Sequence, residues 1–114
     1  MTTIKAYTDI SQSKKLAEIL PHESADMCYY EYTSHIDGTP KVGYKEGITE
    51  GIPCWSLAAL LNILPKVINN ETLFIETSPA LWHIGYRNIY TARADNPVDA
   101  CYELLLKLNE VNLL

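Results

Sequence analysis

The sequence predicts an α+β fold. It is a two-layer sandwich in which an antiparallel sheet of four or five strands packs against three helices, in the order α-β-β-α-β-β-β-α. Two observations carry this expectation. Strand-like runs rich in Tyr, Thr and branched residues are joined by very short turn signals, Asp37-Gly38, Ser78-Pro79-Ala80 and Arg87-Asn88, and connections that short join antiparallel neighbours. Three other segments repeat apolar residues at helical spacing, with start or stop signals at their ends. The 114 residues suit a single domain spanning residues 1–114.

The first helix is announced by Asp9 as N-cap and Gln12 three residues later, a capping-box pair. Leu16, Ile19 and Leu20 form its apolar stripe, and Pro21 ends it. A strand over residues 27–36 follows, then the Asp37-Gly38 turn and a return strand through Val42 and Tyr44. Gly47 and Gly51 loosen the chain, and Ile52-Pro53 leads into a second helix over residues 55–64. So few polar residues interrupt it that burial is expected, and Pro65 stops it.

Strands are expected over residues 73–77, 81–86 and 89–92. The last helix has the clearest start. Asn96 is a good N-cap, Pro97 suits the first helical position and Asp99 favours the helix dipole. Val98, Cys101, Leu104, Leu105, Leu108 and Val111 form its buried face, and Glu103 with Lys107 makes an i,i+4 pair outside.

A net charge of −5 with only two arginines argues against nucleic acid as a partner, because phosphate binding needs clustered Lys and Arg. Cys28, Cys54 and Cys101 are odd in number and set among apolar neighbours, which reads as reduced thiols in a core rather than a disulfide or zinc framework. The longest apolar stretch, residues 55–64, is too short to span a bilayer, and residues 1–7 lack a signal-peptide core. The expected compartment is the cytoplasm, with no membrane partner.

His22, His35 and His83 are scattered and match no metal-ligand spacing, and the five glycines form no phosphate loop. No metal, cofactor or catalytic residue is therefore assigned. His83 with Glu76 on the neighbouring strand could do acid–base work, but an exposed cross-strand polar pair is the ordinary reading. Ser56 and Cys54 lie near a helix start, where a thiol pKa can fall, yet no glycine-framed elbow surrounds them. Ser56 reads as a cap or first-turn residue, and Cys54 as a small core residue.

The aromatics are the richest signal. Alternation along residues 81–86 puts Trp82, Ile84 and Tyr86 on one face and His83 and Gly85 on the other. Eight tyrosines are more than a sheet covered on one side can bury, so some of Tyr29, Tyr32, Tyr44, Tyr86 and Tyr90 should be exposed or shared with a partner. Arg87 and Arg93 flank the last strand beside Tyr86 and Tyr90, where a guanidinium could hold a phosphate while rings stack on a base. The candidate ligand-binding set is Trp82, Tyr86, Arg87, Tyr90, Arg93, His83 and Tyr44. The surplus tyrosines and open sheet face lead us to expect a homo-oligomer.

Three segments carry a resemblance: residues 13–21 (SKKLAEILP), 53–61 (PCWSLAALL) and 96–104 (NPVDACYEL). With the Leu-rich tail they resemble a family of small uncharacterised proteins encoded by phages, prophages and mobile elements of gut Bacteroidales. The resemblance implies a non-enzymatic binding protein that counteracts a host defence system by binding a host protein. The alternatives are a sponge for a nucleotide-type immune signal and, below that, a small hydrolase.

Overall fold

A computed structural model describes residues 4–30, 41–44 and 51–114. Among the described residues are three α-helices and seven short strands: α1 (Ile10–Ala17), β1 (Met27–Tyr30), β2 (Lys41–Tyr44), β3 (Ile52–Cys54), α2 (Leu57–Ile63), β4 (Val67–Ile68), β5 (Glu71–Thr77), β6 (Trp82–Tyr86), β7 (Tyr90–Ala94) and α3 (Pro97–Glu110). The fold is α+β with antiparallel strands throughout, as expected. The strands divide between two sheets, β2-β1-β3 and β4-β5-β6-β7, where one sheet was expected.

The division arises because β1 pairs with β2 and β3 and not with β5, β6 or β7; two short strands, β3 and β4, also stand where the sequence predicts none. β3 holds Pro53, paired with Cys28, where the sequence predicts a lead-in to the helix. Proline lacks an N–H, and β3 tolerates it because it is an edge strand. β4 is only two residues long. It is joined to β5 by Asn69 and Asn70, both at positive φ (49° and 69°), the geometry of a two-residue hairpin turn. Residues 31–36 of the long expected strand, the Asp37-Gly38 turn and Gly47 lie outside the described residues.

The helices do not share one sheet face. α3 lies on β6 and β7, α2 packs on α3, and α1 packs on β3 of the smaller sheet. α1 has the full Asp9–Gln12 capping box. It ends at Ala17, the residue whose carbonyl a continued helix would drive into the Pro21 ring. α2 is shorter than expected, because Ser56 is its N-cap. Only Leu60 within α2 is fully buried, since one neighbouring helix cannot cover an apolar surface that runs round the whole helix.

In α3, Asn96 caps the start and Pro97 opens the first turn. Val98, Cys101, Leu104, Leu105 and Leu108 are fully buried together with Ala100. Val111 is 40% exposed, because the helix has ended before it. The expected Glu103–Lys107 pair is also absent among the described ion pairs; both side chains are exposed on one line of α3.

The core joins α3 and the inner face of β6–β7 to Leu16, Trp55, Leu60 and Leu64. Trp55 is fully buried, and its indole N–H donates to Ser24 Oγ at 3.0 Å. A second buried knot ties the N-terminal segment to the smaller sheet. Thr8 and Ser13, both fully buried, share a hydrogen bond of 2.8 Å. The Thr8 carbonyl accepts from Tyr29 OH at 2.7 Å, and Thr8 Oγ1 accepts from the Trp55 N–H at 3.2 Å. All three cysteines are buried free thiols.

A polar clamp holds the N-terminal segment and α1 onto the start of α3. Lys5 Nζ donates to Asp99 at 2.7 Å and Gln12 Nε2 to the same carboxylate at 2.8 Å, while Asn96 Nδ2 reaches its other oxygen at 2.7 Å. Burial alone would raise the Asp99 pKa, but the hydrogen bonds from Lys5, Gln12 and Asn96 outweigh it and hold the carboxyl below its ordinary value. Its stabilising effect is therefore complete above the ordinary value of 3.8 and is lost as the pH falls through the lower folded value. Asp99→Asn should cost about 1 kcal/mol at pH 7 in urea unfolding. The gap from wild type should narrow as the pH falls through the folded pKa of Asp99; a gap unchanged at pH 2 would contradict a charged clamp.

Candidate functional site

The larger sheet carries most of the residues singled out in the sequence, and strand alternation decides which of them reach the surface. On the helix side lie Tyr86 paired with Tyr90, Ile84 with Ala92, and Trp82 with Ala94. Tyr86 is fully buried and donates its hydroxyl to the Pro65 carbonyl at 2.5 Å. Burial, followed by its neighbour Cys101, pushes its pKa up to about 12. Trp82 and Tyr90 are half-buried against the same core. The expected ligand-binding role for Tyr86 is thus corrected. Its ring completes the core under α3, because the buried face of β6 falls on even-numbered residues. Tyr29 is half-buried and hydrogen-bonded, the Tyr44 side chain lies outside the described residues, and so does Tyr32.

On the opposite face two rows run across the three strands. One is Glu76, His83 and Arg93; the other is Phe74, Gly85 and Thr91. The expected His83–Glu76 register is present. Their side chains nevertheless turn to other partners: Glu76 is ion-paired with Arg87, and His83 Nε2 lies 3.1 Å from Ser78 Oγ. Arg87 also stacks over Phe74, 4.6 Å from the ring centroid. The guanidinium expected beside Tyr86 and Tyr90 therefore rests on Phe74, a residue outside the candidate set.

The nucleophile candidates sit elsewhere. Ser56 caps α2, accepting from the Ala59 N–H at 3.2 Å and donating to Asp26 at 2.5 Å. Cys54 is fully buried on β3. Burial raises its pKa, and hydrogen bonds from Thr8, Ser13 and Tyr29 only partly offset this, which agrees with the expected role of Cys54 as a small core residue. Among the described residues, no group of three or more His, Cys, Asp or Glu side chains is placed to hold a metal ion. None of the described helices is long and apolar enough to cross a membrane.

A groove of about 530 Å³ lies between β7 and α3. Thr91, Ala92, Arg93 and Ala94 form one wall, Asp99, Glu103 and Lys107 the other, and Gln12 lies at the rim. Side chains alternate across a strand, so four consecutive residues can line one groove only if it runs along the strand's edge. β7 is that edge, the last strand of its sheet. The helix wall has spacing four, a single line along α3. Arg93 was singled out in the sequence; Glu103 and Lys107 were visible there as an i,i+4 pair, but nothing in the sequence placed that line beside β7.

The groove's charges are unevenly committed. Asp99 is saturated by Lys5, Gln12 and Asn96. Arg93, Glu103 and Lys107 have no ion-pair or hydrogen-bond partner among the described residues. No protein-family model, curated protein or solved structure matches this chain.

Proposed function

We propose that this chain is a non-enzymatic binding protein of phage or mobile-element origin that acts on a host protein. The observation that supports this reading is the groove along β7. It is open, its Arg93, Glu103 and Lys107 have no ion-pair or hydrogen-bond partner among the described residues, and it lies beside a strand edge that no other described strand covers. Surfaces of that kind recognise another chain. The residues considered for hydrolysis do not share this groove: His83, Glu76 and Cys54 lie on β6, β5 and β3.

A photo-cross-linker placed at Thr91 should capture one host protein from a Bacteroidales lysate. The same group at Asn70, in the turn beside the opposite edge of the sheet, should not. Equal capture from both positions would count against the groove as the contact surface.

The second reading, a sponge for a nucleotide immune signal, draws on the open face. There Phe74 lies beside Gly85 with Arg87, His83 and Arg93 around it, the elements of a stacking platform. It ranks lower because Glu76 already neutralises Arg87. Native mass spectrometry with cyclic and ADP-ribose-derived nucleotides separates the two. A nucleotide mass gain on a stable oligomer would favour the sponge.

A further inference from the structure

The groove also indicates how a partner would bind. Among the described residues β7 ends its sheet, so the backbone N–H and C=O groups along its outer edge have no strand partner there. Within the described residues, no side chain or loop backbone supplies one to residues 91–94. An edge left in this state is a template for one more strand. The groove beside it has the dimensions for that. Four residues of β7 run for roughly 10 Å at the usual strand rise, and the line from Asp99 to Lys107 on α3 runs for roughly 12 Å at the helical rise. The two walls match in length and admit about four residues of extended chain.

The charges point to what kind of chain. In a protein of net charge −5, two exposed cations, Arg93 and Lys107, line this one groove without partners. Glu103 is the single carboxylate there that is still uncommitted, since Asp99 is held by the clamp. The surplus is positive. A second copy of this chain fits less well. Antiparallel pairing of two β7 strands about Ala92 would put both Arg93 side chains diagonally on the same face, within reach of like-charge repulsion.

We propose that an extended peptide segment of a partner protein, carrying an acidic side chain, adds as a fifth strand along the outer edge of β7 and sets that side chain beside Arg93 on the open face, with Lys107 on the helix side adding positive charge along the same edge. Main-chain hydrogen bonds to β7 supply affinity and the two cations supply selectivity. This deepens the binding reading above and rests on it for the existence of a protein partner.

The test uses the full chain and defined probes. These are acetylated, amidated heptapeptides of alternating threonine and valine with a central glutamate, lysine or alanine. A fourth carries the glutamate with alternate backbone amides N-methylated. Amide shifts and hydrogen exchange are followed by NMR. The glutamate peptide should slow exchange along residues 91–94 and bind about tenfold tighter than the lysine peptide, the factor set by one charge-assisted contact. N-methylation should abolish binding. The double variant Arg93→Glu with Lys107→Glu, both surface positions, should reverse the order of the glutamate and lysine peptides while keeping the wild-type melting temperature.

Three results would overturn the proposal. One is unchanged exchange at residues 91–94 up to the solubility limit of the peptides, and another is undiminished binding of the N-methylated peptide. The third is a dimer in sedimentation whose residues 91–94 are protected without peptide, which would assign the edge to a second copy. Host-protein capture with unchanged exchange at β7 would end this inference and leave the binding reading standing. Peptide addition at β7 without any host partner would do the reverse.

Discussion

Gly85→Ala should destabilise the protein by about 3 kcal/mol, at the upper end for overpacking, or abolish folding altogether. A Cβ at Gly85 would lie 2.6 Å from Thr91 Cα and would run into the Tyr90 carbonyl oxygen. Both obstacles are backbone atoms of the paired strand, so no side-chain rotation can relieve them. The strands would have to part in the middle of β6–β7, and α3 is packed on these same strands. The disturbance would therefore reach the core as well as the hairpin. Urea unfolding followed by far-ultraviolet circular dichroism measures the loss as a lower midpoint. A midpoint equal to wild type would mean that β6 and β7 stand further apart at this position than the structure places them.

The second large effect is expected at Trp55. This side chain, just ahead of α2, is fully buried and belongs to the main core cluster. Trp55→Ala removes the largest side chain in the core and should cost about 4 kcal/mol. It also deprives Ser24 Oγ of the indole N–H. Trp55→Phe keeps most of the volume and should cost less than half as much. The site has its own spectroscopic check, because the chain has only two tryptophans. With Trp82→Phe as background, emission from Trp55 should be blue-shifted when folded and should shift red together with the loss of circular dichroism. Emission already typical of exposed indole in the folded protein would contradict the burial.

The two substitutions probe different constraints. At Gly85 the cost is set by backbone approach between strands, and at Trp55 by the volume a collapsed core must fill. Each exceeds the cost expected at Asp99, because the clamp there is partly exposed and water screens its charges.

Local chemistry was legible in the sequence wherever a few neighbouring residues decide the outcome. The Asp9–Gln12 capping box, the Asn96-Pro97 start of α3 and the buried stripe from Val98 to Leu108 follow from contacts made within one or two helical turns. The even-numbered face of β6 followed from alternation alone. β3 and β4 were missed because their two or three residues gain strand geometry from partners: Cys28 opposite Pro53 and Thr72 opposite Val67. The split into two sheets depends on long-range pairing, because β1 takes β2 and β3 as neighbours and not β5, β6 or β7.

The candidate site divides along the same line. Arg93 and the Glu103–Lys107 spacing stand in the sequence as isolated signals. Tyr86 looked like a surface aromatic, and its burial became clear only once α3 was laid over β6 and β7. Arg87 was expected near tyrosines and instead rests on Phe74, since side chains meet across strands according to register rather than nearness in sequence.

By itself, then, the sequence determined the helix caps, the alternating faces, the reduced buried thiols and the acidic, α+β character of this chain. Those properties depend on residue type and on spacing within a few positions. Only the tertiary structure decided that the strands form two sheets, that β7 is left as an edge, and that a charged line of α3 runs beside it to make a groove. The physical reason is range. Caps and alternation are fixed by bonds between near neighbours, whereas a groove between a strand and a helix exists only after packing has chosen which surfaces face each other.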